Sequence, residues 1–192
     1  MPVSSNQEIL DQIIRIAKKN SYKDQSNYLL SYPYFIEYFK NNEIITLENI
    51  VIGISFTYSW MPTILKTIEL KNAEDILRIL NNVKKGILIK ETELWILKKT
   101  FNNSLVGTSK LLHFINPEQY AIWDSRVFQF LYHEKPYKYK LEQPALYLEY
   151  LQLIQNLIDE TNFDIFFQLM TKSIGYQISP FRALELAFFI GE

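Results

Sequence analysis

The spacing of the apolar residues is the feature that most restricts the fold of this chain. From residue 6 to residue 19 these residues recur every three or four positions, at Ile9, Leu10, Ile13, Ile14 and Ala17. This period places them on one face of an α-helix, and no stretch shows the alternation that a half-buried strand requires. Only 5 Gly and 7 Pro occur in 192 residues. We therefore predict an all-α fold of about eight to eleven helices, forming a single compact multi-helix domain over residues 1–192.

Capping signals predict where several helices begin and end. Thr46 is suited to cap a buried helix, because its hydroxyl can accept a hydrogen bond from a free backbone amide. Pro33 is suited to the first position of a helix, where its missing amide hydrogen costs nothing. Ser179 is expected to cap the last helix, with Pro180 in its first turn and Gly191 just past its end.

The composition excludes several classes of site. The chain has no cysteine, which removes disulfides, thiolate catalysis and cysteine-based metal centres. Its two histidines have no metal-ligand spacing, so we expect no metal site. No apolar run approaches the roughly 20 residues that cross a bilayer, and Met1–Asn6 lacks the features of a signal peptide. We expect a cytoplasmic protein with no membrane partner.

Charge is distributed unevenly along the chain, although the net charge is only −1. Residues 61–140 hold 13 Lys or Arg against 8 acids, whereas residues 141–192 hold 2 against 7. A positive face of this kind suits a polyanion such as DNA. Solvated helix faces are the alternative and the more frequent explanation. The segment His133–Lys140 mixes lysines with tyrosines, which fits either nucleic-acid contact or an ordinary exposed loop.

The segment from Leu105 to Val127 carries the clearest functional signal. Its sequence predicts a tight turn through Gly107, a helix starting at Thr108 or Ser109, and Lys110 in the first turn of that helix. Backbone amides at such a start can hold a phosphate, so Gly107, Thr108 and Ser109 are candidate DNA contacts. The positive end of the helix favours a neutral, nucleophilic lysine amine. Asp124 is predicted to cap the next helix and to place a carboxylate nearby.

These residues resemble the helix-hairpin-helix DNA glycosylases, in particular the 8-oxoguanine glycosylase-like branch. In that family a glycine-containing hairpin precedes a catalytic lysine, and a later helix start delivers a catalytic aspartate. The resemblance assigns Gly107 to the hairpin, Lys110 to the nucleophile and Asp124 to the aspartate. Leu105 stands where the family usually has a first glycine, and the spacing of 14 residues between Lys110 and Asp124 is shorter than usual.

The resemblance implies a helix-hairpin-helix fold and base excision on DNA. A damaged nucleotide would be flipped out of the duplex, and Lys110 would displace its base through a Schiff base. Asp124 would take the lysine proton or stabilise the sugar cation. No cofactor is required.

Four further residues are candidates for DNA contact. Trp60, Tyr120 and Trp123 are candidates to stack on the extruded base, and Arg126 is a candidate phosphate ligand. The aromatic residues are more often core, and an ion pair with a carboxylate such as Glu118 is the favoured interpretation of Arg126. The alternative function is a non-catalytic helical module that binds DNA or another protein.

Overall fold

The computed structural model describes residues 4–19, 26–61 and 63–191, and these fold almost entirely into helices. Their only strand-like pairing is an isolated antiparallel bridge between Ile68 and Phe101. No described helix is long and apolar enough to cross a membrane. The all-α prediction is confirmed. The eleven helices of the described ranges are α1 (Asn6–Lys19), α2 (Ser26–Lys40), α3 (Leu47–Ser59), α4 (Ala73–Lys84), α5 (Glu91–Thr100), α6 (Leu105–Ile115), α7 (Ser125–Tyr132), α8 (Lys138–Leu141), α9 (Pro144–Ile158), α10 (Phe163–Ile174) and α11 (Pro180–Ile190).

Most of the predicted helix boundaries are confirmed. The side chain of Thr46 accepts a hydrogen bond from the amide of Asn49, whose own side chain returns to the Thr46 backbone and completes a capping box. The hydroxyl of Ser179 accepts from the amide of Arg182 at the start of α11. The prediction for Pro33 is wrong, because this residue lies inside α2. One interrupted backbone hydrogen bond is tolerated there, since burial of Tyr32 and Phe39 in the same helix offsets its loss.

The chain divides into two compact units, and the first combines the two ends of the sequence, Met1–Ser26 and Ala121–Glu192. Here α11 packs against α1, α7, α9 and α10. Because α11 is apolar on nearly all sides, every residue from Phe181 to Phe188 is buried. Within α11 a guanidinium nitrogen of Arg182 forms a salt bridge with Glu185, which pairs both buried charges.

The second unit is Asn27–Tyr120, and α6 is its central helix. It packs against α3, α4 and α5. Every residue of α6 except Val106 and Lys110 is buried. The prediction of one domain over residues 1–192 stays a prediction.

Candidate functional site

The turn between α5 and α6 lies earlier in the chain than the sequence pattern predicts. The turn runs through Asn102 and Asn103, whose φ angles of 60° and 49° are left-handed. Asparagine tolerates this conformation better than most residues. Ser104 then caps α6, its side chain accepting from the amide of Gly107 at 3.2 Å. The predicted turn at Gly107 is therefore wrong: Gly107 lies within the first turn of a helix that begins at Leu105.

Gly107 is required for close packing rather than for a turn. A Cβ atom at this position would lie 2.6 Å from Oη of Tyr58, which is itself buried. The absence of a side chain therefore lets α6 approach α3 closely.

The three predicted phosphate contacts are enclosed in α6. Thr108 and Ser109 are fully buried, and their hydroxyls donate to the carbonyls of Ser104 and Val106 at 2.8 and 2.9 Å. The amides of Gly107 and Thr108 bond to the side chain and the carbonyl of Ser104. The amides of Gly107 and Thr108 therefore already have partners inside the protein, and contact of Gly107, Thr108 and Ser109 with DNA stays a prediction.

Lys110 lies in the second turn of α6, not in the first turn as predicted. The helix dipole acts mainly on the first turn, so it contributes less at Lys110 than the sequence suggested. The side chain is half-buried, and its Nζ lies 5.5 Å from the centroid of the Trp60 indole ring. An ammonium group at this distance is attracted to an aromatic face.

Trp60 belongs to an aromatic cluster in the same unit. Its half-buried indole packs edge-on against Tyr28 and Phe114, with ring centroids 5.4 and 5.3 Å away. Tyr28 is half-exposed. Lys110 therefore has a partly accessible aromatic surface beside its amine.

Asp124 caps α7, as predicted. Its Oδ1 accepts hydrogen bonds from the amides of Arg126 and Val127, each at 3.0 Å. Arg126 is exposed, and its guanidinium carbon lies 4.2 Å from the centroid of the Phe189 ring. Asp124 and Arg126 belong to the unit of the chain ends, whereas Lys110 and Trp60 belong to the other unit. That Lys110 and Asp124 face one cleft stays a prediction.

Two of the predicted stacking residues are parts of the core. Tyr120 is fully buried, and its hydroxyl accepts from the amide of Ile89 at 3.0 Å. Burial raises the pKa of this hydroxyl to about 12. Trp123 is also fully buried, and its Nε1 donates to the carbonyl of Leu141 at 3.1 Å. Both rings are enclosed by protein, so the prediction that Tyr120 and Trp123 offer stacking surfaces is wrong, whereas Trp60 stays a candidate.

His113 is fully buried and connects distant parts of its unit, and the sequence did not identify its two partners. Its Nδ1 lies 2.6 Å from the carbonyl oxygen of Tyr120, and its Nε2 lies 2.8 Å from the hydroxyl of Tyr32. A carbonyl oxygen can only accept, so Nδ1 carries a proton; in the neutral ring Nε2 accepts from the tyrosine. His113 thus links Tyr32 of α2, which is 81 residues earlier in the chain, to Tyr120 at the end of the unit.

An open cavity of about 500 Å³ lies in the Asn27–Tyr120 unit, where Lys40, Lys84 and Lys85 contribute to its lining. These lysines are at the ends of α2 and α4, where cations complement the negative helix termini. Nζ of Lys84 donates to the carbonyl of Phe39 at 2.7 Å. Burial raises the pKa of Glu118, which also lines the cavity. Lys84 is therefore bonded within the fold, whereas Lys40 and Lys85 are exposed.

Comparison with known proteins gives no relative for this chain. No protein-family model matches it. No curated protein matches it. No solved structure matches it.

Proposed function

We propose that this chain is a cytoplasmic DNA glycosylase/lyase-like protein of the helix-hairpin-helix type, with Lys110 as its nucleophile and Asp124 as its assisting carboxylate. Its DNA partner and its chemistry follow from the resemblance of the segment from Leu105 to Val127 to that family. The observation that carries the proposal is the pairing of Lys110 with Trp60 in one unit.

The pairing supports the proposal because the reaction requires an amine beside a surface for a base. A nucleobase gains favourable contact by stacking on an exposed aromatic face, and this holds for each of the bases. Nζ of Lys110 lies 5.5 Å from the centroid of the Trp60 ring. A base held at the accessible edge of Trp60 would bring its sugar toward the amine.

The reaction needs only the chain's own residues and water. The lone pair of Nζ forms a bond to the anomeric carbon, and the bond from that carbon to the base breaks. The base leaves with the bonding electrons and takes up a proton. Asp124 receives the proton that the lysine loses. The bond from the anomeric carbon to the ring oxygen then breaks, this oxygen takes up a proton from water, and the carbon and Nζ of Lys110 stay joined as a Schiff base.

Borohydride trapping tests this function, because borohydride reduces a Schiff base to a stable covalent bond. Full-length protein is incubated with duplex DNA containing an abasic site or 8-oxoguanine, with Lys110→Gln as the test variant. Lys99→Gln is the matched control, since Lys99 is an exposed lysine on the neighbouring helix α5. We expect an adduct with wild type and the control and none with Lys110→Gln. Equal trapping by all three proteins, or none by wild type, contradicts the proposal.

The second candidate is a non-catalytic helical module that binds DNA or another protein. The observation that favours it is the closed start of α6, whose Gly107 and Thr108 amides are already bonded to Ser104. In that case wild type forms no adduct, and duplex affinity is the same in wild type and Lys110→Gln. A steep loss of this affinity with added salt identifies phosphate contacts.

A further inference from the structure

Two neighbouring tyrosines stand out because their rings are exposed although they are stacked. Tyr137 and Tyr139 are 70% and 62% exposed. Their ring centroids are 6.0 Å apart, and the ring planes differ by 15°. An aromatic ring usually contributes to folding by burial, and these two contribute little in this way. Their outer faces are accessible to a flat ligand.

The tyrosines lie on a segment that is anchored to the core of its unit. The carbonyl of Leu141, the last residue of α8, accepts from Nε1 of the fully buried Trp123. The amide of Lys140 bonds to the carbonyl of Tyr137 at 2.9 Å, and the side chain of Gln143 bonds to the carbonyl of Tyr139 at 3.2 Å. These bonds hold the backbone that carries the two rings, which lowers the entropy lost when a ligand binds.

Lysines flank the two tyrosines along the segment. Lys135 and Lys138 are exposed, and neither forms an ion pair with any described residue. Lys140 by contrast forms a salt bridge with Glu134. The segment thus presents two exposed aromatic rings and two available cations within the five residues 135–139.

We propose that the segment from Lys135 to Lys140 is a contact surface for a nucleic-acid strand with unpaired bases. Bases stack on Tyr137 and Tyr139, and Lys135 and Lys138 contact the flanking phosphates. Stacking requires an exposed base face, so a single strand or an opened region of DNA is preferred over a fully paired duplex. The inference extends the DNA partner of the proposed function to a second surface, and it does not depend on the chemistry of Lys110.

Affinity for labelled DNA tests this surface. A fluorescein-labelled single strand of about 12 thymidines and a matched duplex are titrated with the full-length protein. The variants are Tyr137→Ala/Tyr139→Ala and Tyr137→Phe/Tyr139→Phe, the second of which keeps the rings. We expect the alanine variant to lose about tenfold or more in single-strand affinity, and the phenylalanine variant to remain within about twofold of wild type. Both variants change exposed side chains, and circular dichroism verifies that each retains the helical fold.

A second pair of variants tests the charges. Lys135→Gln/Lys138→Gln should lower the salt dependence of single-strand binding, because each lost phosphate contact reduces the slope by about 0.7. Lys18→Gln/Lys19→Gln removes two exposed lysines of α1 and should leave the slope unchanged.

Three results overturn the proposal: wild-type affinity in the tyrosine-to-alanine variant, an equal loss in the phenylalanine variant, or a duplex affinity as high as that for the single strand. Lys110→Gln separates the two proposals. It should retain single-strand binding even though it abolishes borohydride trapping.

Discussion

Asp124 combines a structural property with a proposed chemical one, and the two can be separated by substitution. Its carboxylate accepts hydrogen bonds from two backbone amides at the start of α7. An N-cap of this kind accounts for the residue without any catalysis. Asparagine caps a helix about as well as aspartate, but it cannot accept a proton from a lysine. A comparison of Asp124→Ala with Asp124→Asn therefore distinguishes a helix cap from a carboxylate that takes part in chemistry.

We expect Asp124→Ala to lower the free energy of unfolding by about 1 kcal/mol, since two amides lose their acceptor. Asp124→Asn should stay within roughly 0.5 kcal/mol of wild type, because it keeps the cap and loses only the charge at the helix start. Urea denaturation measures both values. If Asn destabilises the protein as much as Ala, capping is not the source of the effect. If Asp124→Asn loses borohydride trapping while its free energy of unfolding is unchanged, the carboxylate has a chemical role.

The helix α6 illustrates how packing changes the meaning of a sequence pattern. Its glycine was expected at an exposed turn, and it lies instead where α6 meets Tyr58 of α3. The glycine has no side chain, and the helix therefore fits against a large buried ring. The effect of replacing Gly107 should accordingly appear in stability.

Gly107→Ala should lower the free energy of unfolding by about 1–2 kcal/mol. The added Cβ would lie 2.6 Å from Oη of Tyr58, and the cost of overpacking, about 1–3 kcal/mol, exceeds the gain of roughly 0.5–1 kcal/mol from the better helix former. Thermal or urea unfolding measures the change.

The control is a double-mutant cycle with Tyr58→Leu. This substitution removes the ring atoms that the new Cβ would meet, so Gly107→Ala should cost less in that background. An equal cost in both backgrounds would show that the contact with Tyr58 is not the cause.

At the scale of the whole molecule, buried tyrosines make stability sensitive to alkaline pH in both units. Burial raises the pKa of Tyr120 in one unit and of Tyr132 in the other to about 12, and the nearby Glu149 also raises that of Tyr132. Burial raises the pKa of Tyr150 well above its usual value. In the unfolded chain these hydroxyls ionise near pH 10, so unfolding releases protons between about pH 10 and pH 12. Their stabilising contribution is complete below pH 10 and decreases as the pH rises through 12.

We expect the urea concentration at the midpoint of unfolding to be lower at about pH 11.5 than at about pH 9. Tyr132→Phe should make this difference smaller. Phenylalanine keeps the stacking of this ring on Phe128, whose centroid is 4.5 Å away, and removes only the titrating hydroxyl. The control is Tyr137→Phe, an exposed tyrosine, which should leave the pH dependence unchanged. An identical alkaline profile for wild type and Tyr132→Phe would contradict the assignment.

The sequence by itself determined the helical class and many helix boundaries. The period of the apolar residues predicted α1 over its full observed length, and the caps at Thr46, Asp124 and Ser179 were identified from residue type and position. These features are local. A helix bonds each residue to one four positions away, and a cap bonds within three residues, so neighbouring residues suffice to specify them.

Only the tertiary structure decided which candidate site residues are accessible. Tyr120 and Trp123 are residue types that can stack on a base. In the fold, however, they form hydrogen bonds with Ile89 and Leu141, which are 31 and 18 residues away along the chain. The contact of Gly107 with Tyr58 is equally non-local. Burial depends on which distant elements pack together, and residue type and spacing do not specify that arrangement. For the same reason Tyr137 and Tyr139, which fitted a loop or a nucleic-acid contact equally in sequence, became an exposed stacked pair only in the folded chain.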